Sequence, residues 1–519
     1  GSRGPGRRGW AVAGAAAAAL VVGGAGIALG MALSGGGEQP EDVMPANALF
    51  FADVDLDPDA GQKVNLLRLL SKFPDVQDEL GGRDDIKSYV VEQLLESDPD
   101  WAAEDVTPWV GDRAGVAVYW DEDTKQPYGL LAVETADEGA AEASLSNHLD
   151  DSEWTLDQGY AVIRVSAGVA GEGSMASAAD LVSGSKEASL ANDPDFVSIM
   201  DPLGSGIASL YLDGAGVTDL VNNELGFLGY PGAGTMGMGS DAMAGQVGAV
   251  VRVEPSAIEL IGRSTEAGTL GADPTGLIGS LPSSTAAAFA MTGGGDAVAK
   301  QWDALMAQLD TMGSLGMGMT DMGAAADGLE PVAFMSPSRA SGAIKNEFER
   351  GIAEFERQYN VQLPDDLVTL FGDDLVVALD GDGLIGSVPN VGLRSVTDPA
   401  AAADLATRLQ PVIDDLTAGY GVVVEPVDDG LVVASSSEYA DQLANGEGGL
   451  LDDPAFVAAV PDAEKAAAVL WVDVDALGSF AALYDPASAD VWDPLQGVGV
   501  SAGVDVDGGF FRARVTFDE

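Results

Sequence analysis

The sequence predicts an α+β protein: an N-terminal transmembrane helix followed by a tandemly duplicated ectodomain of mainly antiparallel sheets with packed helices. Three observations predict it. Trp10 to Leu33 contains no charged residue. The block Asp193–Asp213, DPDFVSIMDPLGSGIASLYLD, returns as Asp453–Asp473, DPAFVAAVPDAEKAAAVLWVD. Around these landmarks, short apolar runs come in hairpin pairs interrupted by stretches of helical periodicity. That order implies antiparallel pairing with helices laid against the sheet.

Residues 1–9 carry Arg3, Arg7 and Arg8 and no acid. The uncharged span 10–33 follows. At about 1.5 Å per residue it exceeds the roughly 30 Å hydrocarbon core. Arginines ahead of the span predict a cytoplasmic tail, with the remainder outside the cell membrane. A cleaved signal peptide with a small-residue site near Ala32 is the rival reading, although the span is long for one. Gly26 and Gly30 form a GxxxG pair, which lets two such helices approach. Residues 34–43 read as a flexible linker.

The duplication is predicted over residues 44–268 and 281–519. Each copy of the block places Asp before Pro and Phe-Val after it. Asp accepts the free amides of a first helical turn, and Pro tolerates N1. Collinear matches extend it. VGDRAGVAVYWD from Val110 aligns with FGDDLVVALDGD from Phe371. Thr135 aligns with Thr397, and Gly159-Tyr160 with Gly419-Tyr420. GAVVRVEPSAIELIGRST from Gly248 aligns with GVSAGVDVDGGFFRARVT from Gly499, and MPANALFFADVD from Met44 with LPSSTAAAFAMT from Leu281. A period this long is a repeated domain, not a solenoid.

Within the first copy, Ala48–Val54 reads as a strand. A helix capped by Asp57 and started by Pro58 follows, with Leu66, Leu67, Leu69, Leu70 and Phe73 as its apolar face. A second helix is expected around 84–96. A hairpin turns at DEDTKQP between strands 114–120 and 128–134. Next come helix 137–149, strands near 160–166, helix 175–183, the repeated helix and strand, helix 215–226, and a hairpin at 246–264. The second copy repeats the order, with turns at Asp382-Gly383, Asp429-Gly430 and Asp507-Gly508.

Composition limits the function classes. Hydrophobic content is 46% and charged content 21%, a globular balance. Cysteine is absent, which removes disulfides, thiolate metal sites and a cysteine nucleophile. The net charge is −59, and all 83 acids lie after residue 37. Such a surface repels nucleic acid. The single histidine, His148, sits on a helix surface with no GxSxG anywhere, so no Ser-His-Asp triad is expected. HExxH, a phosphate-binding GxxxxGK[ST] and a strand-linked GxGxxG are also missing.

Two metal readings are weighed. Asp53, Asp55 and Asp57 alternate along a strand end and offer carboxylates to a divalent cation, although Pro58 and Val64 break the EF-hand pattern. The insertions 230–243 and 312–323 are rich in Met and Gly. Met236, Met238, Met243, Met317, Met319 and Met322 could hold copper(I) through thioethers, or simply pack against a partner or lipid. No cofactor is expected.

The anchor, the linker and MPANALFFADVDLDPDAGQKVNLLRLLSKFPD resemble the actinobacterial membrane-anchored family catalogued as domain of unknown function 3352. Pro45, Phe51, Asp53, Asp55, Pro58, Gln62 and the leucines at 66–70 carry the resemblance, with the VGD/FGD and DPxF blocks. It implies a cell-envelope location and transfers no functional residue. The expected function is therefore a single-pass envelope protein whose acidic extracytoplasmic part is a non-catalytic binding or interaction module. It would hold the bilayer through residues 10–33 and meet a protein or apolar ligand in the envelope. An extracytoplasmic enzyme with an unrecognised site and a structural spacer stand as alternatives.

Overall fold

The first copy runs β1 (Phe50–Asp55), β2 (Val110–Asp121), β3 (Gln126–Thr135), β4 (Trp154–Asp157), β5 (Tyr160–Ser166), β6 (Ala208–Asp213), β7 (Gln246–Glu254) and β8 (Ala257–Ser264). The second runs β9 (Thr285–Thr292), β10 (Asp374–Asp380), β11 (Val391–Val396), β12 (Val423–Val427), β13 (Gly430–Ala434), β14 (Ala468–Asp473), β15 (Leu495–Asp505) and β16 (Gly508–Phe517). Helices that pack on the sheets include α1 (Pro40–Val43), α2 (Ala60–Leu70), α3 (Glu138–His148), α4 (Ala178–Ser185), α5 (Pro194–Met200), α6 (Thr275–Ile278), α7 (Asp365–Phe371), α8 (Pro399–Leu416), α9 (Ser437–Asn445) and α10 (Pro454–Ala459). The α+β class and the antiparallel pairing are thus as expected.

This computed structural model describes residues 39–55, 60–70, 72–73, 101–121, 123–166, 176–220, 245–266, 275–315, 337–382, 384, 389–417, 421–446, 448–481, 492–505 and 508–518. The predicted tail and anchor lie outside the described residues. So do residues 34–38 of the linker, Asp57 and Pro58, the helix at 84–96, and all six methionines proposed as copper ligands. Among the described residues no helix is long and apolar enough to cross a membrane.

The chain divides into two compact units, Gly1–Thr269 with Ala487–Glu519, and Leu270–Pro486. The closing hairpin β15–β16, second-copy in sequence, therefore belongs to the first unit. In that unit the first-copy strands take the order β4-β5-β3-β2-β1-β6-β7-β8, and β16 pairs β8. In the other unit the order is β12-β13-β11-β10-β9-β14. The first six strands of each copy thus follow one plan, including the inversion that sets β5 inside β4 and β13 inside β12.

Local chemistry explains the repeated block. Asp193 accepts the amide of Asp195 at 2.9 Å; Asp453 accepts those of Ala455 and Phe456 at 2.9 and 3.1 Å. Pro occupies N1 of α5 and of α10. Each helix then sinks its Phe onto the following strand. Phe196 meets Tyr211 edge-on at 5.2 Å, and Phe456 meets Trp471 at 5.7 Å. A bridge between Pro45 and Ser189 has its twin between Pro282 and Gly449.

In the first unit, α1, α4 and α5 cover one sheet face over Phe51, Ala117, Leu130, Tyr160 and Val250. The other face is covered by α3 over Ala161 and Ile163, and by α2 over Ile207 and Val253. In the second unit, α6, α9 and α10 close on Ala288, Val376, Val432 and Trp471. There α7 and α8 pack on the opposite face over Val424 and Leu431.

Two sequence expectations are corrected. Thr135 donates its amide to Gly159, whereas Thr397 donates to Asp429. Gly159 therefore corresponds to Asp429, at the hairpin turn, and not to Gly419; residues 419–420 themselves lie outside the described residues. The β12–β13 turn is Asp428-Asp429, since Val427 pairs Gly430. Gly430 is needed for close approach: a Cβ there would collide with the Ser395 carbonyl.

The two closing hairpins meet about a local two-fold. Ile261 pairs with Arg512, its own counterpart in the sequence alignment. Counterpart ion pairs flank that point reciprocally: Arg263 to Asp505 at 3.3 Å, and Arg514 to Glu254 at 2.7 Å.

Candidate functional site

Strand alternation places Asp53 and Asp55 on one face of β1, the face that Phe51 buries under α1. Each carboxylate meets a residue from the strand beside it. Asp55 lies opposite Arg113 of β2, with Nε 3.3 Å from Oδ2. Asp53 lies opposite Ser209 of β6 and accepts its hydroxyl.

Arg113 is buried and also faces Glu134 of β3, Nη1 to Oε1 at 3.5 Å. Glu134 in turn accepts the backbone amides of Asp112 and Arg113 at 2.9 and 3.1 Å. A register shift between Val110 and Ala114 brings those amides round. Gly111 permits it: a Cβ at that position would come within 2.7 Å of the Glu134 side chain. Glu41, on α1, completes the cluster from above the sheet.

Charge and burial set the protonation states. Burial, reinforced by the charge of Asp53, pushes the Glu41 carboxyl up to about 8. Burial raises Asp53 to about 6, although the Ser209 hydroxyl works the other way. Burial opposes the Arg113 charge, but Asp55 and Glu134 outweigh it and hold the guanidinium ionised. Burial and Glu134 together push the Tyr160 phenol far up. Near neutral pH the cluster therefore keeps one protonated carboxyl, Glu41, beside ionised Asp53. Such a pair can give or take a proton or receive a cationic group.

The metal readings meet this geometry as follows. Asp53 and Asp55 are brought together, but each is engaged by Ser209 or Arg113. Asp57 lies outside the described residues, as do Met236, Met238, Met243, Met317, Met319 and Met322. Among the described residues no group of three or more His, Cys, Asp or Glu converges to hold a metal. His148 stacks on Trp101 at 4.4 Å and bonds the Ser144 carbonyl through Nδ1.

The second copy shows what the fold itself requires. Thr292 pairs Asp374 where Asp55 pairs Arg113. By the same registers Ala290 stands for Asp53, and Val469 for Ser209. Alignment of Met44 with Leu281 puts buried Ile278 in place of Glu41. The charged cluster is private to the first copy.

No family model matches the chain, and no curated protein does. Solved structures of TP0453 in crystal forms III, I and IV are similar at 10% identity. Their TM-scores are 0.20, 0.20 and 0.21, covering 44% of this chain and 80%, 79% and 81% of theirs. A likeness that small carries no argument about fold or function.

Sequence reading missed Glu41, Arg113, Glu134 and Ser209. One signal was present: Arg113 in VGDR replaces the second Asp of FGDD, a charge reversal inside an aligned block.

Proposed function

We propose that the chain is a single-pass cell-envelope protein whose acidic, duplicated extracytoplasmic part is a non-catalytic binding module. It is similar to the membrane-anchored actinobacterial family of unknown function. The location rests on the uncharged span 10–33 behind three arginines and on the acids that follow it.

One observation carries the binding half of the reading. The first copy keeps Glu41, Asp53, Asp55, Arg113 and Glu134 where the second folds with Ile278, Ala290, Thr292, Asp374 and Val396. Holding carboxyls in a place that raises their pKa costs stability. The twin shows that this plan of strands does not need them. Their retention points to a task beyond folding, the recognition of a cationic group on a partner or ligand.

The location is tested by labelling. The chain has no cysteine, so single introduced thiols report cleanly. An impermeant maleimide should label Ser152→Cys on intact cells and Ser2→Cys only after permeabilisation. Labelling of Ser2→Cys alone on intact cells would overturn the orientation. The binding half is tested with an alkyl amine as probe: its saturable uptake should disappear in Asp53→Asn. Equal uptake by the variant removes that reading.

A further inference from the structure

The sheet face opposite α1 carries a second departure of the first copy from its twin. The cluster under α3 joins Trp109, Ala141, Leu145 and Ala161, with Trp154 packed against it. The second copy builds the same place from Leu370, Ala402, Ala406, Leu431 and Val424. Three registers fix the correspondence. Trp109 and Leu370 each precede the aligned VGD and FGD blocks. Trp154 pairs Ile163 as Val424 pairs Val433. Helices α3 and α8 start from Asp137 and Asp398, whose carboxylates accept amides of the first turn. Counting from those caps sets Ser144 against Leu405.

At these three positions the second copy has aliphatic side chains and the first has side chains with a polar tip. No tip is satisfied: Trp109 Nε1, Trp154 Nε1 and Ser144 Oγ are buried without a hydrogen-bond partner among the described residues. Trp109 is 2% exposed and Ser144 7%. A buried donor without an acceptor destabilises a fold, and Leu370, Leu405 and Val424 show that this plan of strands does not need one there. The helix above is also lightly held. It has 11 residues against 18 in α8. It turns Ala141, Ser144 and Leu145 inward, where α8 turns Ala402, Leu405 and Ala406 inward and adds Leu409 and Ile413. At its last residue His148 stacks on Trp101, and both are half-buried, so the cluster meets solvent at that end.

We infer that the first unit binds, between α3 and the sheet, a small uncharged molecule with an apolar body and a carbonyl oxygen, a ketone or an ester. The unmet atoms select this class. An indole N–H only donates, and a carbonyl oxygen accepts twice and donates nothing, so it meets two such donors without bringing one of its own. A charged ligand would lose its water among neutral, mostly apolar neighbours and find no counter-charge there. The indole and aliphatic side chains of the cluster suit the apolar body. Admission requires α3 to shift, which its short inward face allows. The inference does not depend on where the chain resides or on the cluster around Asp53.

Magnetic resonance of the indole N–H groups tests it. The full chain, isotope-labelled at the indole nitrogens of its eight tryptophans, is titrated in detergent with acetophenone as probe. Trp109→Phe and Trp154→Phe assign the two signals. Both should move downfield and saturate, as a newly formed hydrogen bond requires. Ethylbenzene, of similar shape without the oxygen, is run at the same free concentration and should move neither downfield. Ser144→Ala, Trp109→Phe and Trp154→Phe should each weaken acetophenone about fivefold, the worth of one neutral hydrogen bond. Trp492→Phe, at an exposed tryptophan, should leave it within about twofold. Far-UV circular dichroism confirms that each variant is folded, and Ser144→Ala, which removes only a hydroxyl, carries the comparison should an indole variant fail to fold. Signals that stay in place up to the solubility limit of acetophenone overturn the site. Equal downfield shifts with ethylbenzene, or unchanged affinity in the folded variants, overturn it too.

Discussion

Glu41→Gln is the sharpest probe of the charged cluster, because it keeps shape and removes one titration. The folded carboxyl titrates near 8 against a reference of 4.5. Between those values the native chain holds a proton that the unfolded chain has released. Stability contributed at this position therefore falls as pH rises through that window, and the full penalty stands above it. At about 1.4 kcal/mol per unit the displacement corresponds to about 5 kcal/mol, an upper bound. Glu41 is half-buried and shares its titration with Asp53, so the working figure is about 2–3 kcal/mol. Urea unfolding of parent and variant, compared at about pH 5 and about pH 9, isolates the effect from the general repulsion of a highly acidic chain. The variant should exceed the parent only slightly at the lower pH and by that amount at the higher. A difference that is the same at both pH values, or a variant that is weaker at high pH, refutes the placement of Glu41 in a site hostile to its charge.

Two further expectations concern the repeated block. Asp453→Ala should cost about 1 kcal/mol as a lost N-cap. Asp193→Ala should cost more, because Asp193 also accepts the amide of Asn47, 146 residues away, at 2.8 Å; chemical denaturation that ranks them the other way contradicts the capping account. Phe456→Ala removes a side chain that is 1% exposed and edge-on to Trp471. About 3–5 kcal/mol should be lost, read from the same unfolding curves, and a loss below about 1 kcal/mol would mean the site is not packed as described.

Helix starts were legible because their chemistry is local. Asp-Pro-x-Phe states cap, first turn and anchor within four residues, and both copies fold accordingly. The hairpin at 246–264 was legible for the same reason, and its two-residue turn is Pro255-Ser256. Turn glycines were less so: Gly430 looked like a turn residue, yet it starts a strand and is small for the sake of Ser395 across the sheet. Gly159-Tyr160 was matched to the wrong partner because a match of only two residues carries little information. Thr135 and Thr397, bonded to the turns at Gly159 and Asp429, carry more.

Of the charged cluster only Asp53 and Asp55 could be read, from alternation along one strand. Arg113 and Glu134 reach them through a register shift that no spacing rule announces. Glu41 arrives on a four-residue helix packed across the sheet. The ion pairs at Arg263 and Arg514 join positions more than 240 residues apart, so they required the β8–β16 register.

The central claim is that one strand plan occurs twice and that its closing hairpins meet at Ile261 and Arg512. Because the chain lacks cysteine, cross-linking tests the register directly. Leu260 lies opposite Ala513. Facing residues of an antiparallel pair have Cβ atoms about 4.5–5.5 Å apart, close enough for a disulfide to form with little movement. Leu260→Cys with Ala513→Cys should close under mild oxidation, seen as a mobility shift on a non-reducing gel, whereas Leu260→Cys with Gly509→Cys should stay open. Closure of the second pair, or of neither, would contradict the account.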